Sequence, residues 1–327
     1  MSESFLIALV LFAAAAAFAL VVGAWRTALA REGPAPPLPL GAEPRVSAVV
    51  PARDEERGIV ALLQDLYAQR YPRGLLEVIV VDDGSTDGTA RLARGMQPHW
   101  PGLKVLPNGG EGKKAAIATG VAAAQGDLIV LTDADGRCRP ERIAAIASRW
   151  KAGGEAMIIA PVWTDGHGAL GLLQELEQAA LLGAALGSAA AGSPFLAYGA
   201  NLAFSREAFM AVGGYAGDRF SSGDDVFLLQ RMRRAGYRVG ALSDRAALVA
   251  VEAERGWAGF LRQRLRWAGK MRGAGPATLL PAVAALLLPW ALLWASLRFD
   301  FVALMGGRAL YTAGMLAAAW ACWLVPS

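Results

Sequence analysis

At 327 residues the chain has room for one large domain or two modest ones, and its 55% hydrophobic content, with a mean hydropathy of +0.36, is high for a protein that lives wholly in water. A net charge of +4 is too small to point to nucleic acid as a partner. Two cysteines, Cys138 and Cys322, and two isolated histidines, His99 and His167, exclude a disulfide framework and a zinc site built on ligand spacing.

The apolar excess sits at the two ends. Residues 5–25, FLIALVLFAAAAAFALVVGAW, carry no charge and are long enough to cross a bilayer. ALA at 28–30 resembles a signal-peptidase site, but the start MSES lacks a basic residue and Arg26 interrupts the approach, so an uncleaved anchor over 1–25 is expected. Residues 277–297 form a second apolar run and 309–325 a shorter third, so two further membrane helices are expected within 276–327. Arg26 and Arg31 follow the first run, and Arg255, Arg262, Arg264, Arg266, Lys270 and Arg272 precede the second. The positive-inside tendency then makes the intervening chain cytoplasmic and the protein a multi-pass protein of the inner membrane. The C-terminal runs offer a surface to a second copy or to a membrane partner.

Residues 26–44 read as a linker, Pro-rich from 33 (GPAPPLPLGAEP). From 45 onward strands and helices alternate. RVSAVVPA (45–52), LEVIVVDD (76–83), LKVLPN (103–108), DLIVLTDAD (127–135) and MIIAPV (157–162) read as buried strands. Helical spacing marks 58–69, 87–96, 112–125 and 168–192, and GWAGFLRQRLRWAGKM (256–271) is a basic, aromatic segment. This alternation predicts an α/β fold over 45–255 with a mostly parallel central sheet covered on both faces. In such sheets ligands bind beyond the carboxyl ends of the strands, and here three of those ends are acidic: PARDEE, VDDGSTD and TDADG.

Each acidic end suits a chemistry. Asp133 and Asp135, two apart at a strand end, offer hard oxygens to Mg²⁺ or Mn²⁺, an ion commonly shared with substrate phosphates. Asp82 and Asp83 end a core strand where an acid can bond a ribose or a base edge, with Ser85, Thr86 or Asp87 free to cap the next helix. GEGKKAAI (110–117) opens a helix with two lysines, either a phosphate site or a solvated pair. RQRLRW (262–267), near Trp257 and ending in Trp267, serves either as a diphosphate clamp or as an interfacial helix on anionic lipid. Asp224 and Asp225 open another apolar helical run; capping accounts for one carboxylate, most simply Asp224, and leaves the second to be explained.

In order, VVPARDEE, VIVVDDGSTDGT, GKKAAI, LTDADG, GDDVFLLQRMRRAGYRV and QRLRW resemble the membrane-bound members of glycosyltransferase family 2, relatives of cellulose and hyaluronan synthases, over roughly 45–272. The resemblance implies a GT-A fold and an inverting, metal-dependent transfer from a nucleotide-diphosphate sugar, UDP-linked in preference to GDP-linked, to a lipid or lipid-linked glycan. It implies that Pro51, Arg53 and Glu55 meet the nucleotide and that Asp83 reads its nucleoside. Lys113 matches the lysine of the family's G-K-A helix, and Asp133 and Asp135 match its D-x-D, with Asp135 the direct metal ligand. Asp225 matches the general base of an E-D motif written here Asp224-Asp225, while Gln263, Arg266 and Trp267 match Q-x-x-R-W, which closes over the diphosphate and acceptor. Asn201, in GANLAF, stands where the family shapes its acceptor side. The alternatives are a subunit of a processive polysaccharide synthase and a non-catalytic nucleotide-sugar-binding membrane protein; the small number of apolar runs favours single transfers.

Overall fold

The computed structural model describes residues 3–39, 41–217 and 223–270, together with 287, 288, 291, 308, 309 and 312. Helix α1 (Glu3–Arg31) is followed by β1 (Val46–Ala52), α2 (Ile59–Tyr67), β2 (Leu76–Asp82), α3 (Thr89–Met96), β3 (Leu103–Pro107), α4 (Lys113–Ala123) and β4 (Leu128–Thr132). Then come β5 (Arg137–Cys138), α5 (Arg142–Gly153), β6 (Met157–Ile159), β7 (Val162–Asp165), α6 (Gly168–Ala190), β8 (Asn201–Ser205), α7 (Arg206–Ala211), α8 (Asp224–Arg234), β9 (Val239–Ala241), β10 (Val249–Glu252) and α9 (Trp257–Lys270).

The main sheet has the order β3-β2-β1-β4-β8-β6-β9. It is parallel except for β8, which runs antiparallel to both β4 and β6. The period-2 alternation of a strand explains its two apolar faces. Val49, Ile79, Val81 and Leu131 pack with Ile117, Leu186, Phe204 and Leu228 on one side. Ala48, Val50, Val78 and Val80 pack with Ile59, Leu62, Leu63 and Ile143 on the other. Register sets the functional edge: Ala52 lies beside Asp82 and Asp82 beside Pro107, so the strands of the N-terminal half release their loops together. A small second sheet has the order β5-β10-β7, and its strand β5 follows the loop after β4.

The sequence reading assigns no element between 136 and 156, where α5 lies. Its buried stripe begins with Arg142, a charge at an apolar position, and this hides the helical period. The linker is not a free tether. Ala35 and Leu38 pack against the core, Tyr71 Oη donates to Pro44 O at 2.6 Å, and Ser148 Oγ donates to Pro36 O. Proline presets φ, so ordering this segment on α5 costs less chain entropy than ordering an ordinary loop.

Helix α1 is the one helix among the described residues long and apolar enough to cross a membrane, and it continues into the domain. Trp25 packs on Gly187, where a Cβ would meet its side chain at 2.6 Å, and its ring lies 5.5 Å from that of Phe195. Leu29 joins the core. The expected C-terminal spans lie outside the described residues except at single positions, of which Leu288 packs against Ala15.

Candidate active site

The loop after β1 and the loop after β2 are laced together. Asp54 takes the left-handed conformation at φ 55°, and its Oδ1 accepts from Thr86 N at 2.7 Å. Glu55 N donates to Thr89 Oγ1 at 2.7 Å, Glu56 N to Asp87 Oδ2 at 3.1 Å and Gly88 N to Glu56 Oε2 at 2.9 Å. Ser85, Thr86 and Asp87 therefore bind loop to loop; Gly88 at the cap of α3 offers no side chain, and Asp87 Oδ1 instead accepts from Thr89 N, the first residue of the helix, at 2.9 Å. Pro51 is buried in β1 beside Val81, at the base of this edge.

Asp83 follows β2 with its side chain only 10% exposed. Its Oδ1 accepts from Asn108 Nδ2 at 2.6 Å and from Gly112 N at 2.9 Å, and Oδ2 lies 3.7 Å from Arg53 Nη1. Asn108 is a residue the sequence reading did not single out; only its pairing with Asp83 marks it.

Beyond β4 the chain turns, Gly136 N donating to Asp133 O at 3.1 Å, so Asp133 and Asp135 sit on a turn and not on extended strand. Lys113, at the start of α4, places Nζ 2.7 Å from Asp133 Oδ1 and 3.6 Å from Asp224 Oδ2. Burial opposes the charge on Lys113, but Asp133 and Asp224 overcome it and hold the ammonium above its ordinary range. Burial in the cleft, then the charge of Asp133, raises the Asp135 carboxyl; Lys113 and Arg266 pull the other way. Glu55 is pushed up to about 7 by burial and then by Asp135, Asp133, Asp87 and Asp54.

Among the described residues no group of three or more acidic, histidine or cysteine side chains closes around one point. The donor set is instead a pair of carboxylates crowded by a third, Glu55. These residues fit a divalent ion held by one or two carboxylates and shared with a diphosphate, not a cage made by protein alone.

This crowding gives a testable pH effect. The folded protein holds the Glu55 proton more tightly than the unfolded chain, so without metal its contribution to stability falls as pH rises from 4.5 to about 7 and stays low above that. Glu55→Gln removes the fall. In EDTA at pH 8 the variant is expected to gain on the order of 1–3 kcal/mol over the parent, with no gain near pH 4.5. Thermal melts at the two pH values check it; an equal shift at both, or none, counts against the crowding.

Both carboxylates of the Asp-Asp pair lie in the first turn of α8, 4% and 9% exposed. The cap is Gly223, at φ 89° and with no side-chain bond, so capping explains neither acid. This corrects the expectation for Asp224, which turns to Lys113. Asp225 Oδ2 instead accepts from Gly199 N at 3.3 Å, while Oδ1 accepts from its own helix at Val226 N, 2.8 Å. Gly199 is needed here: a Cβ would stand 2.8 Å from Asp224 Oδ2 and 3.3 Å from Lys113 Nζ.

Asn201 does not face the site, which corrects its expected acceptor or phosphate role. It is fully buried, and all its polar capacity is used. Oδ1 accepts from Arg142 Nε at 3.1 Å and Nη2 at 2.9 Å, and Nδ2 donates to Pro161 O and Ala247 O at 2.7 Å each. Arg142 also holds Thr132 Oγ1 at 2.7 Å and Leu131 O at 3.0 Å, tying down the end of β4 from beneath. On α9, Arg266 is exposed and its charge reaches Asp135. Gln263 and Trp267 gather on Arg264: Gln263 Oε1 accepts from it, and its guanidinium stacks 4.4 Å from the Trp267 ring and bonds Glu177 on α6 at 2.8 Å.

An open α/β sheet with one antiparallel strand, acids at three strand ends and a helix that opens with two buried acids is the arrangement of a GT-A fold. The mannosyltransferase PcManGT of Pyrobaculum calidifontis, solved in complex with GDP-Man and Mn²⁺, shares this fold with a TM-score of 0.66 and 24% identity, covering 98% of this chain and 99% of that one. The profile described as Glycosyl transferase family 2 matches residues 47–213, and the chain belongs to that family. A beta-monoglucosyldiacylglycerol synthase of Synechocystis is 29% identical over 245 residues, 68% of this chain and 48% of that protein. An undecaprenyl-phosphate 4-deoxy-4-formamido-L-arabinose transferase of Aeromonas hydrophila is 40% identical over 107 residues, 30% of this chain and 31% of that protein. The chain thus spans less than half the length of either curated relative.

Proposed function

We propose that the protein moves a sugar from a nucleotide-diphosphate sugar to a lipid or lipid-linked glycan at the membrane surface, in one in-line displacement that inverts the anomeric centre. The observation that carries this reading is the position of Lys113, whose ammonium joins Asp133 of the turn after β4 to Asp224 of α8. One side chain thus links the diphosphate end of the site to the acceptor end.

In this reading Asp83, fixed by Asn108 and Gly112, meets the nucleoside, with Pro51, Arg53 and Glu55 beside it. A bound Mg²⁺ or Mn²⁺ on Asp135 and Asp133 supplies positive charge to the diphosphate. Lys113 and Arg266 take up the negative charge that grows on the leaving nucleotide. Asp225 removes the acceptor hydroxyl proton. Asp224 is engaged by the Lys113 ammonium, which favours Asp225 for that role.

A lipid acceptor suits the surfaces around the site. Trp257, Leu261 and Leu265 are 60%, 54% and 73% exposed along one face of α9, with Arg262 and Arg266 beside them. Leu172, Leu173 and Leu176 are likewise exposed on α6, which Glu177 joins to Arg264. Apolar side chains flanked by arginine fit an anionic bilayer surface, and α1 is the anchor. The relatives' names mention a diacylglycerol and an undecaprenyl phosphate, which supports the same acceptor class.

The test is the purified full chain with Mn²⁺ and UDP-glucose, UDP-N-acetylglucosamine or GDP-mannose, with and without membrane lipid extract. One donor is expected to be consumed in a lipid-dependent way, and Asp135→Asn to lower that turnover by about 10²–10³-fold, as for loss of a preorganised electrostatic contact. Consumption of no donor, or full turnover by Asp135→Asn, defeats the proposal.

A further inference from the structure

The two lysines that open α4 have separate surroundings, and only Lys113 belongs to the acid cluster. Lys114 stands where the family's G-K-A pattern has alanine. It is 9% exposed, with Nζ 4.6 Å from the centre of the Phe227 ring and 5.8 Å from that of Tyr215. Phe227 is on the first helical turn of α8, two residues after Asp225. Its ring also presses on the cap of that helix: a Cβ on Gly223 would lie 2.7 Å from it. Tyr215 leans edge-on against Phe209 at 5.5 Å, and Phe209 stacks on Phe204 of β8 at 5.2 Å. A continuous ladder therefore runs from the core strand β8 through Phe204, Phe209 and Tyr215 to the Lys114 ammonium, and from there to the ring at the start of α8.

We infer that Lys114 and Phe227 form a positioning pair: the buried ammonium, held between two aromatic faces, fixes the first turn of α8 and with it the angle at which Asp225 meets the acceptor. A cation is attracted to the negative face of each ring, and the attraction is strongest where water is excluded. A methionine of similar length fills the space but exerts no such pull. The seat matters to chemistry because a carboxylate about 1 Å out of place costs roughly 10²-fold in rate. The inference rests on the reading of Asp225 as general base, and the two are separable by experiment.

The test compares Lys114→Met, Lys114→Arg and Asp225→Asn in the detergent-solubilised full chain. Hydrogen exchange is read on residues 224–230, binding of Mn²⁺–UDP and Mn²⁺–GDP is titrated, and kcat and donor KM are measured with the nucleotide sugar the panel identifies. Lys114→Met is expected to speed exchange in that turn and lower kcat by about 10–100-fold. Nucleotide binding and donor KM should stay within about twofold, and Lys114→Arg, which keeps the cation, should recover most of the rate. Should Lys114→Met fail to fold, Phe227→Leu carries the same expectations, because it keeps the burial and removes the ring. A variant with exchange and kcat like the parent's, or a rate not recovered by arginine, overturns the inference. Full turnover by Asp225→Asn overturns the base assignment instead, whatever Lys114→Met does to exchange.

Discussion

Asp225→Asn is expected to lower glycosyl transfer by about 10²–10⁴-fold, the range for loss of a positioned general base, while Mn²⁺–nucleotide binding stays near the parent's. The substitution keeps shape and one hydrogen-bonding oxygen, enough for one of the two N–H groups, Gly199 N and Val226 N, that Asp225 accepts from. Also lost is the capacity to take a proton. Asp224→Asn makes a different change: it weakens the pairing with Lys113, which keeps its closer partner Asp133 at 2.7 Å against 3.6 Å. Its expected cost is smaller and falls partly on donor binding, because Lys113 then sits differently against the diphosphate. Single-turnover rates and nucleotide titrations on both variants separate the two roles. A larger rate loss for Asp224→Asn than for Asp225→Asn would assign proton removal to Asp224.

Local pattern carries a good part of this architecture, and its failures share one cause. The continuous apolar runs at 46–52, 76–82, 103–107 and 128–132 are strands because both faces of the sheet are covered, and the acids that follow them gather on one edge as the parallel register requires. Helix α6 lies within two residues of its expected limits, and α9 occupies the basic, aromatic segment at 256–271. What periodicity cannot carry is partnership across the chain. Strand β8 is antiparallel because of its neighbours β4 and β6, and nothing in NLAFS says so. Asn201 is expected on the acceptor side because GANLAF stands there in the family the chain resembles; its partner Arg142, 59 residues away, hides in a helix whose apolar stripe it breaks. The Asp224-Asp225 pair pointed to chemistry beyond capping, yet which acid turns to Lys113 depends on how α4 and α8 meet. The lysine pair reads as either a phosphate site or a solvated pair, and neither describes Lys114, whose aromatic neighbours lie about a hundred residues downstream.

The Arg142–Asn201 pair sets the largest expected effect on stability, and the effect is asymmetric. Burial pushes the Arg142 guanidinium below its ordinary pKa range, and its hydrogen-bond acceptors Asn201, Thr132 and Leu131 O are all neutral, so hydrogen bonds carry the work of solvating it. Asn201→Leu takes away the oxygen that receives two of those bonds and removes the donor to Ala247 O, while Pro161 O keeps Val249 N at 3.1 Å. A buried charge left uncompensated in this way costs about 3–5 kcal/mol. Arg142→Met removes the charge itself and leaves only neutral groups short of a partner, at about 1–3 kcal/mol each before they regroup. Asn201→Leu should therefore be the more damaging change, and the double variant should lose less than the sum of the two, because the second substitution removes the charge the first exposed. Denaturant unfolding of the three solubilised variants checks the order. Thr132 pairs in register with Asn201 and directly precedes Asp133, so the same variants should also bind Mn²⁺–nucleotide more weakly in proportion to their loss of stability. A variant that loses stability but keeps full nucleotide affinity would show that the turn bearing Asp133 and Asp135 is held from above, by Lys113, and not from the buried pair beneath it.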